Sequence, residues 1–307
     1  MLDPSRSQTN LIELEKLRGS IVPLVTPFNE GDEFDEPTFR KLIDWQIESG
    51  SHGISVEGTT GEPSALTLEE REYIFSAAVS AVRGRVPIVA GTGTNNLRET
   101  LRLTKSAEKA GVDACLVIVP YYNRPSQEGL LDYFSRVANS TALPVIIYNI
   151  PGRTATNMEP HTMKKLRANC KNVVGVKEAN KDFDQVSRVL SEVGRDFLVY
   201  SGIESLCYPM LMLGGAGHVS ATANLLPKEV ADLYNLVASG HWREAVDLHY
   251  KLLPINEALF WETNPVPLKA ALGMIGRIHP RLRPPLVSLS DEKKAKLREV
   301  MKQYHLL

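Results

Sequence analysis

A lysine inside an apolar segment is the residue most suggestive of chemistry in this sequence. Lys177 lies in segment 173–179, VVGVKEA, which otherwise has the composition of a buried β-strand. Burial penalises the charged form of an amine and lowers its pKa, and the neutral amine attacks carbonyl carbon. Lys177 is therefore a candidate Schiff-base nucleophile, although an ion pair with a carboxylate such as Glu178, or with one on an adjoining strand, would explain a buried lysine equally well.

Small residues are expected beside this amine. Because side chains alternate across a strand, Lys177 should share one face with Gly175 and Ala179, and Val173 should lie on the same face. The two small residues would leave room around the amine. This face is predicted to line the interior of a barrel.

Two turns rich in glycine could contact a small substrate. Segment 58–62, GTTGE, supplies the hydroxyls of Thr59 and Thr60 together with backbone N–H groups, which suit a small carboxylate. Segment 214–220, GGAGHVS, leaves its backbone accessible, with Val219 as the candidate carbonyl contact. An ordinary glycine-rich turn is the alternative explanation for the first segment.

Phenol and guanidinium groups follow two further apolar segments. Tyr122 and Tyr148 could move protons to and from substrate oxygens, and a tyrosine hydroxyl beside Thr59 would form a hydrogen-bonded relay. Arg153 offers a bidentate fork for a substrate carboxylate. Taken alone, a core tyrosine or a surface arginine would explain each residue.

The elements that must position these groups are repeated β–α units. Predicted strands cover residues 20–28, 53–59, 86–91, 114–121, 145–150, 173–179, 197–202 and 217–222. Predicted helices between them cover residues 35–48, 68–82, 97–110, 127–139, 160–168, 183–193, 205–213 and 228–238. The pattern predicts an α/β fold, a (β/α)8 TIM barrel, and the candidate groups fall at the carboxyl ends of strands, where catalytic residues of this fold gather.

The predicted domain organisation has three parts. Residues 1–17 form an N-terminal extension, residues 18–240 the barrel, and residues 241–307 a C-terminal helical extension with helices at 242–260, 265–275 and 291–303.

Composition argues against several classes of protein. The 35 Lys and Arg residues nearly balance the 36 Asp and Glu residues, so nucleic-acid and membrane-surface partners are not expected. The amino-terminal segment lacks the apolar core of a signal peptide, and we expect a cytoplasmic protein. No zinc-spaced cluster or phosphate-binding loop motif occurs, so neither a metal nor a cofactor is expected. The three cysteines are expected to be reduced packing residues.

The order of motifs resembles the dihydrodipicolinate synthase and N-acetylneuraminate lyase superfamily over roughly residues 18–290. Matching segments are GTTGE at 58–62, AGTG at 90–93, PYYNRPSQEGL at 120–130, YNIPGRT at 148–154, GVKEA at 175–179 and NPVPLK at 264–269. The resemblance implies that Lys177 forms a Schiff base with pyruvate, that Tyr148 transfers protons, and that Thr59 links it to Tyr122 of an adjoining subunit. The substrate-binding residues that it implies are Thr60, Val219, Arg153 and Gly202.

The resemblance implies a class I pyruvate aldolase that condenses pyruvate with L-aspartate 4-semialdehyde to 4-hydroxy-tetrahydrodipicolinate, towards diaminopimelate and lysine, as a homotetramer. Another aldolase or dehydratase of the superfamily, acting on a sugar acid or other aldehyde, stays open, as does a non-catalytic keto-acid-binding protein. The Ile203-Glu204 pair departs from the Asp or Asn more usual in the synthases. Inhibition by lysine is also open, because Arg71 departs from the pattern of inhibited members.

Overall fold

The computed structural model describes residues 14–307, in which eight parallel strands form a closed barrel. Each strand pairs with the next along the chain, and the last pairs with the first. The strands are β1 Gly19–Pro23, β2 Gly53–Val56, β3 Ile88–Gly91, β4 Ala114–Ile118, β5 Val145–Asn149, β6 Val173–Glu178, β7 Leu198–Ser201 and β8 Gly217–Val219. The predicted (β/α)8 TIM barrel is confirmed.

Helices surround the barrel and continue beyond it. They are α1 Glu36–Glu48, α2 Leu68–Val82, α3 Leu97–Ala110, α4 Gln127–Asn139, α5 Pro151–Thr154, α6 Pro160–Asn169, α7 Phe183–Glu192, α8 Cys207–Met212, α9 Pro227–Ala238, α10 Trp242–Ala258, α11 Val266–Met274 and α12 Asp291–Lys302. The last three are the predicted C-terminal helices. Within residues 14–307, no helix combines the length and the apolar character needed to cross a bilayer.

Local capping explains where several helices begin and end. Thr67 and Glu70 form the reciprocal capping box that the sequence predicts at the start of α2. At the end of α3, Gly111 has φ +92° and its N–H donates to the Ala107 carbonyl at 3.2 Å. A glycine adopts this left-handed conformation without a Cβ clash, so the helix ends there.

Two apolar layers hold the barrel together. The inner layer includes Ile21, Leu116, Ile146 and Leu198, and Leu17 belongs to the same cluster. The outer layer lies between strands and helices and contains alternate residues of the same strands, such as Val22 and Val117, with the buried cysteines Cys115, Cys170 and Cys207. All three cysteines are free, so their interpretation as packing residues is confirmed.

One predicted side-chain direction is wrong. Val173 packs in the outer layer, whereas Val174 contacts the inner cluster. The register between β5 and β6 shifts at this point, because Val145 is opposite Val173 but Ile146 is opposite Gly175. The irregularity inserts one residue into β6, so strict alternation fails before Gly175.

Several strands are shorter than their apolar segments. β1 ends at Pro23 although residues 24, 25 and 28 are also fully buried. The Val25 N–H donates to the Asn224 side chain at 3.0 Å rather than to a neighbouring strand. The apolar residues beyond Pro23 are therefore buried beneath loops and do not extend the strand. β8 likewise ends at Val219, and the residues beyond it form a short 3-10 helix, Ala221–Asn224.

His218 is a buried, neutral histidine on β8. Its neighbour Val219 belongs to the inner cluster, so the His218 ring faces the helices. Neither ring nitrogen has a hydrogen-bond partner among the described residues. Burial lowers the pKa of His218 to about 3, from 6.5. Between about pH 6.5 and about pH 3, His218 is therefore neutral in the folded protein and protonated in the unfolded chain.

We predict that His218→Val reduces the acid sensitivity of folding. Because the pKa is lower in the folded state, the unfolded chain binds more protons below pH 6.5, and stability is lost as pH falls from 6.5 towards 3. Between about pH 7.5 and about pH 5, the wild type should lose about 2 kcal/mol more than the variant. Urea unfolding at both pH values measures this difference. The exposed His279, changed to Val, serves as the control, and parallel pH curves for wild type and His218→Val would contradict the prediction.

Candidate active site

Lys177 and Tyr148 are direct register partners on adjacent strands. Tyr148 of β5 pairs with Lys177 of β6, and the lysine Nζ lies 4.2 Å from the centroid of the tyrosine ring. Lys177 is 4% exposed and Tyr148 is 5% exposed. The interior position that the sequence predicts for this amine is confirmed.

Two glycines allow close packing around the Lys177 strand. A Cβ at Gly202 would lie 3.0 Å from Lys177 Cε and 2.9 Å from Ala179 Cβ. A Cβ at Gly175 would lie 2.4 Å from the Leu198 carbonyl oxygen. Gly202 thus leaves room for the lysine side chain, and Gly175 allows β6 to approach β7. Ala179, at the carboxyl end of the segment, contacts the inner cluster as predicted.

Glu178 does not pair with Lys177. It points to the opposite side of β6, where its carboxylate accepts hydrogen bonds from the Asn149 and Gln185 side-chain amides, both at 2.9 Å. The Asn180 N–H also donates to it at 2.9 Å. Burial raises the pKa of Glu178 to about 7, against the effect of these donors. The ion-pair explanation of the buried lysine with this residue is therefore wrong.

The 58–62 turn brings two hydroxyls to the carboxyl end of the barrel. Thr59 and Thr60 open a short 3-10 helix, Thr59–Gly61. Thr59 Oγ1 lies 3.3 Å from Tyr148 Oη, within hydrogen-bonding distance. The buried Thr60 Oγ1 accepts a hydrogen bond from the Asn264 side-chain amide at 2.9 Å. The local sequence around Asn264 does not predict this contact, because its partner lies 204 positions away.

Tyr122 stands apart from the other candidates within one chain. It is 91% exposed and has φ +72°, a left-handed conformation that is uncommon for a residue with a large side chain. The preceding Tyr121 is half-buried and lines a cavity. The backbone therefore directs the Tyr122 side chain away from its own barrel.

Two cavities open at this end of the barrel. One of about 290 Å³ is lined by Thr59, Tyr148 and Tyr121. The other, of about 760 Å³, is lined by Ala179, Gly202 and the Ile203-Glu204 pair. Lys177 lies on β6 between the strands that contribute to the two cavities.

Arg153 lines both cavities. It belongs to α5, a four-residue helix that the sequence did not predict, and its Nη2 donates to the Asn264 carbonyl at 3.3 Å and to Thr263 Oγ1 at 3.4 Å. Arg153 is an exposed residue, and its guanidinium retains donors for a ligand.

Glu204 is a buried acid and belongs to the pair at which the sequence departs from the synthases. Its Oε1 accepts a hydrogen bond from the Ala221 N–H at 2.8 Å, just beyond β8. Burial raises the pKa of this carboxyl, while hydrogen bonding and the Lys177 charge oppose the rise. Val219, the last residue of β8, is 6% exposed and belongs to the same inner cluster as Tyr148. The Ile203-Glu204 pair, at which the sequence departs from the synthases, thus lines the larger cavity.

The arrangement is suited to carbonyl chemistry. The Lys177 amine lies beside the Tyr148 ring, and the Tyr148 phenol lies beside the Thr59 hydroxyl. Arg153 lines the larger cavity at the same end of the barrel. Such a set can form an imine, move protons to and from it, and bind a carboxylate. Within residues 14–307, no cluster of three or more His, Cys, Asp or Glu side chains is arranged to hold a metal ion.

Comparisons with known proteins agree with this chemistry. Residues 16–304 match the model of the dihydrodipicolinate synthetase family. The 4-hydroxy-tetrahydrodipicolinate synthase of Thermus thermophilus is 47% identical over 94% of this chain and 97% of its own length. The dihydrodipicolinate synthase from Aquifex aeolicus superposes with a TM-score of 0.92 at 42% identity, over 94% of this chain and 98% of that one.

A third similar protein was solved with a ligand. The chloride-inhibited dihydrodipicolinate synthase from Acinetobacter baumannii, complexed with pyruvate, has a TM-score of 0.92 at 36% identity, over 94% of this chain and 99% of that one. Family model, sequence identity and superposition all extend over nearly the whole chain. This chain therefore belongs to the dihydrodipicolinate synthetase family.

Proposed function

We propose that this protein is a Schiff-base pyruvate aldolase that condenses pyruvate with L-aspartate 4-semialdehyde to 4-hydroxy-tetrahydrodipicolinate. The observation that carries the proposal is the pairing of Lys177 with Tyr148, whose phenol lies beside the Thr59 hydroxyl. Family membership supports the reaction, and the pyruvate complex of the Acinetobacter baumannii relative supports the first substrate.

The first half of the reaction uses the inner residues. The Lys177 amine attacks the pyruvate keto carbon, and loss of water gives an imine. Tyr148 accepts and returns protons through Thr59, while the Thr60 segment and the Val219 carbonyl hold the pyruvate. Loss of a methyl proton converts the imine to an enamine, and the protonated imine nitrogen stores the electron pair without a metal.

The second half takes place at the larger cavity. The enamine carbon attacks the aldehyde carbon of the semialdehyde, forming the new carbon–carbon bond and restoring the imine. The semialdehyde amine then attacks the imine carbon, closes the ring and releases Lys177. Arg153 suits the semialdehyde carboxylate, because this exposed residue lines the cavity and its guanidinium can bind a carboxylate with two hydrogen bonds. Gly202 and Glu204 line the same cavity, where an acidic group would favour an acceptor that carries an amino group.

The proposed reaction predicts that Lys177→Met abolishes turnover, because the imine forms on the Lys177 amine. Pyruvate, aspartate semialdehyde, NADPH and dihydrodipicolinate reductase give a coupled assay, and borohydride with pyruvate traps the adduct for mass spectrometry. Lys181→Met is the matched control, since Lys181 lines the larger cavity but lies beyond β6.

The outcomes separate the possibilities. Turnover that requires Lys177 supports the synthase. A pyruvate adduct on Lys177 without consumption of the semialdehyde would contradict the proposed acceptor and favour an aldolase or dehydratase for a sugar acid or other aldehyde. Binding of pyruvate without any adduct would contradict the aldolase and favour a keto-acid-binding protein.

We further propose that the protein works as a homotetramer in which the partner completes each site. Tyr122 supports this, because it is 91% exposed at the barrel mouth yet belongs to a family-like motif. An apolar surface elsewhere supports a further interface, because the contacting helices α8 and α10 expose Met212, Trp242 and Tyr250.

The cytoplasmic location and the domain boundaries stay predictions.

Subunit complementation tests the role of Tyr122. Tyr122→Phe and Lys177→Met homo-oligomers should each have little activity. In mixed oligomers, a chain with Tyr122→Phe keeps Lys177 and receives an intact Tyr122 from its partner, so refolding the two together should restore about a quarter of wild-type activity per chain. Gel filtration must show that the mixture assembles like the wild type. If assembled mixtures regain no activity, Tyr122 does not act across a subunit boundary.

A further inference from the structure

The 58–62 turn is bounded by two residues in a strained conformation. Glu57 and Glu62 both have φ +55°, in the left-handed region that residues other than glycine rarely adopt. Both are 3% exposed. Such conformations persist only where surrounding contacts determine them. The geometry of Thr59 and Thr60 therefore depends on what holds these two glutamates.

The barrel itself holds the first glutamate. Arg71 of α2 donates from its Nε to Glu57 Oε2 at 2.6 Å and from its Nη2 to the Gly91 carbonyl at 2.7 Å. Both side chains of this ion pair are buried. This end of the turn is thus fixed by elements of the barrel on either side of it.

A lysine from outside the barrel holds the second glutamate. Lys269 of α11 is fully buried, and its Nζ lies 2.5 Å from Glu62 Oε1. The same Nζ donates to the Arg281 carbonyl at 2.9 Å and lies 4.2 Å from the centroid of the Phe28 ring. The Arg283 N–H donates to Glu62 Oε2 at 3.2 Å. The C-terminal extension therefore contacts both oxygens of one glutamate.

A short path connects this ion pair to the reacting groups. The Glu62 N–H donates to the Thr59 carbonyl at 3.2 Å, which closes the single turn of 3-10 helix. Thr60 receives its hydrogen bond from Asn264, five positions before Lys269 in the same extension. A displacement of Glu62 would move the Thr59 peptide, and with it the hydroxyl that lies 3.3 Å from Tyr148 Oη.

We propose that Glu62 and Lys269 are positioning residues, through which the C-terminal extension sets the geometry of Thr59 and Thr60 for pyruvate. The inference rests on the proposed function, which assigns these threonines to the pyruvate site. Neither positioning residue touches the substrate. An ordinary stabilising ion pair would affect folding alone, whereas a positioning pair affects pyruvate affinity even when folding is intact.

A charge-neutral double substitution separates the two roles. Glu62→Gln or Lys269→Met alone leaves one buried charge without its partner, so the melting temperature should fall. Glu62→Gln with Lys269→Met removes both charges and should recover much of the melting temperature. Its KM for pyruvate should nevertheless stay raised about tenfold or more, because a glutamine amide and a methionine thioether do not form the ion pair that holds the turn. Lys228→Met, which removes an exposed lysine paired with Asp232, is the control.

A single variant keeps the test decisive if the double variant folds poorly. Burial lowers the pKa of Lys269 to about 8, so above that pH Glu62→Gln faces a largely neutral amine. Glu62→Gln assayed near pH 9 should fold and should show the same rise in KM relative to wild type at that pH. Borohydride trapping at a series of pyruvate concentrations measures affinity independently of the second substrate.

The outcomes distinguish this inference from the function on which it rests. A folded double variant, or Glu62→Gln near pH 9, with a pyruvate KM within about twofold of wild type would overturn the positioning role. Wild-type protein that forms no pyruvate adduct would overturn the proposed function and this inference together. A raised KM with restored melting temperature supports both.

Discussion

The placement of one lysine amine inside the barrel is the constraint on which the site depends. Burial of an amine is unfavourable unless the group is paired or neutral, and the nearest acid in sequence, Glu178, is directed to the other side of β6. Gly202 leaves room for the lysine chain, and the register of β5 and β6 sets Tyr148 beside Nζ. A hydrogen-bonded strand pair thus fixes the distance between nucleophile and phenol more firmly than a loop would.

The chain outside the barrel completes this arrangement. The Asn264 side chain donates a hydrogen bond to Thr60, and the Asn264 carbonyl accepts one from Arg153. Lys269 forms an ion pair with Glu62 at the end of the 58–62 turn. These contacts join residues more than one hundred positions apart in sequence, so they form only when the barrel has closed and the extension has packed on it. The positions of Thr59, Thr60 and Arg153 therefore depend on contacts between distant parts of the chain.

Much of the fold could be predicted from the sequence, because alternating apolar and amphipathic segments directly reflect strands buried between helices. The positions of Lys177, Tyr148 and Thr59 followed from their place at strand ends. Local pattern could not predict the shifted register that turns Val173 outward, or the end of β1 at Pro23, since both depend on neighbouring strands. The role of Lys269 was missed as well, because its local sequence is an ordinary helical one and its partner Glu62 lies far along the chain.

The most direct test of this account is the rate of borohydride trapping of pyruvate on Lys177 in Gly202→Ala. The added methyl group would lie 3.0 Å from Lys177 Cε, whereas in Gly152→Ala, on the wall of the same cavity, it would meet nothing within 4 Å. The account predicts that trapping slows at least about tenfold in Gly202→Ala and stays near wild type in Gly152→Ala, with both proteins folded. Trapping at the wild-type rate in Gly202→Ala would show that the space around Lys177 does not control its chemistry.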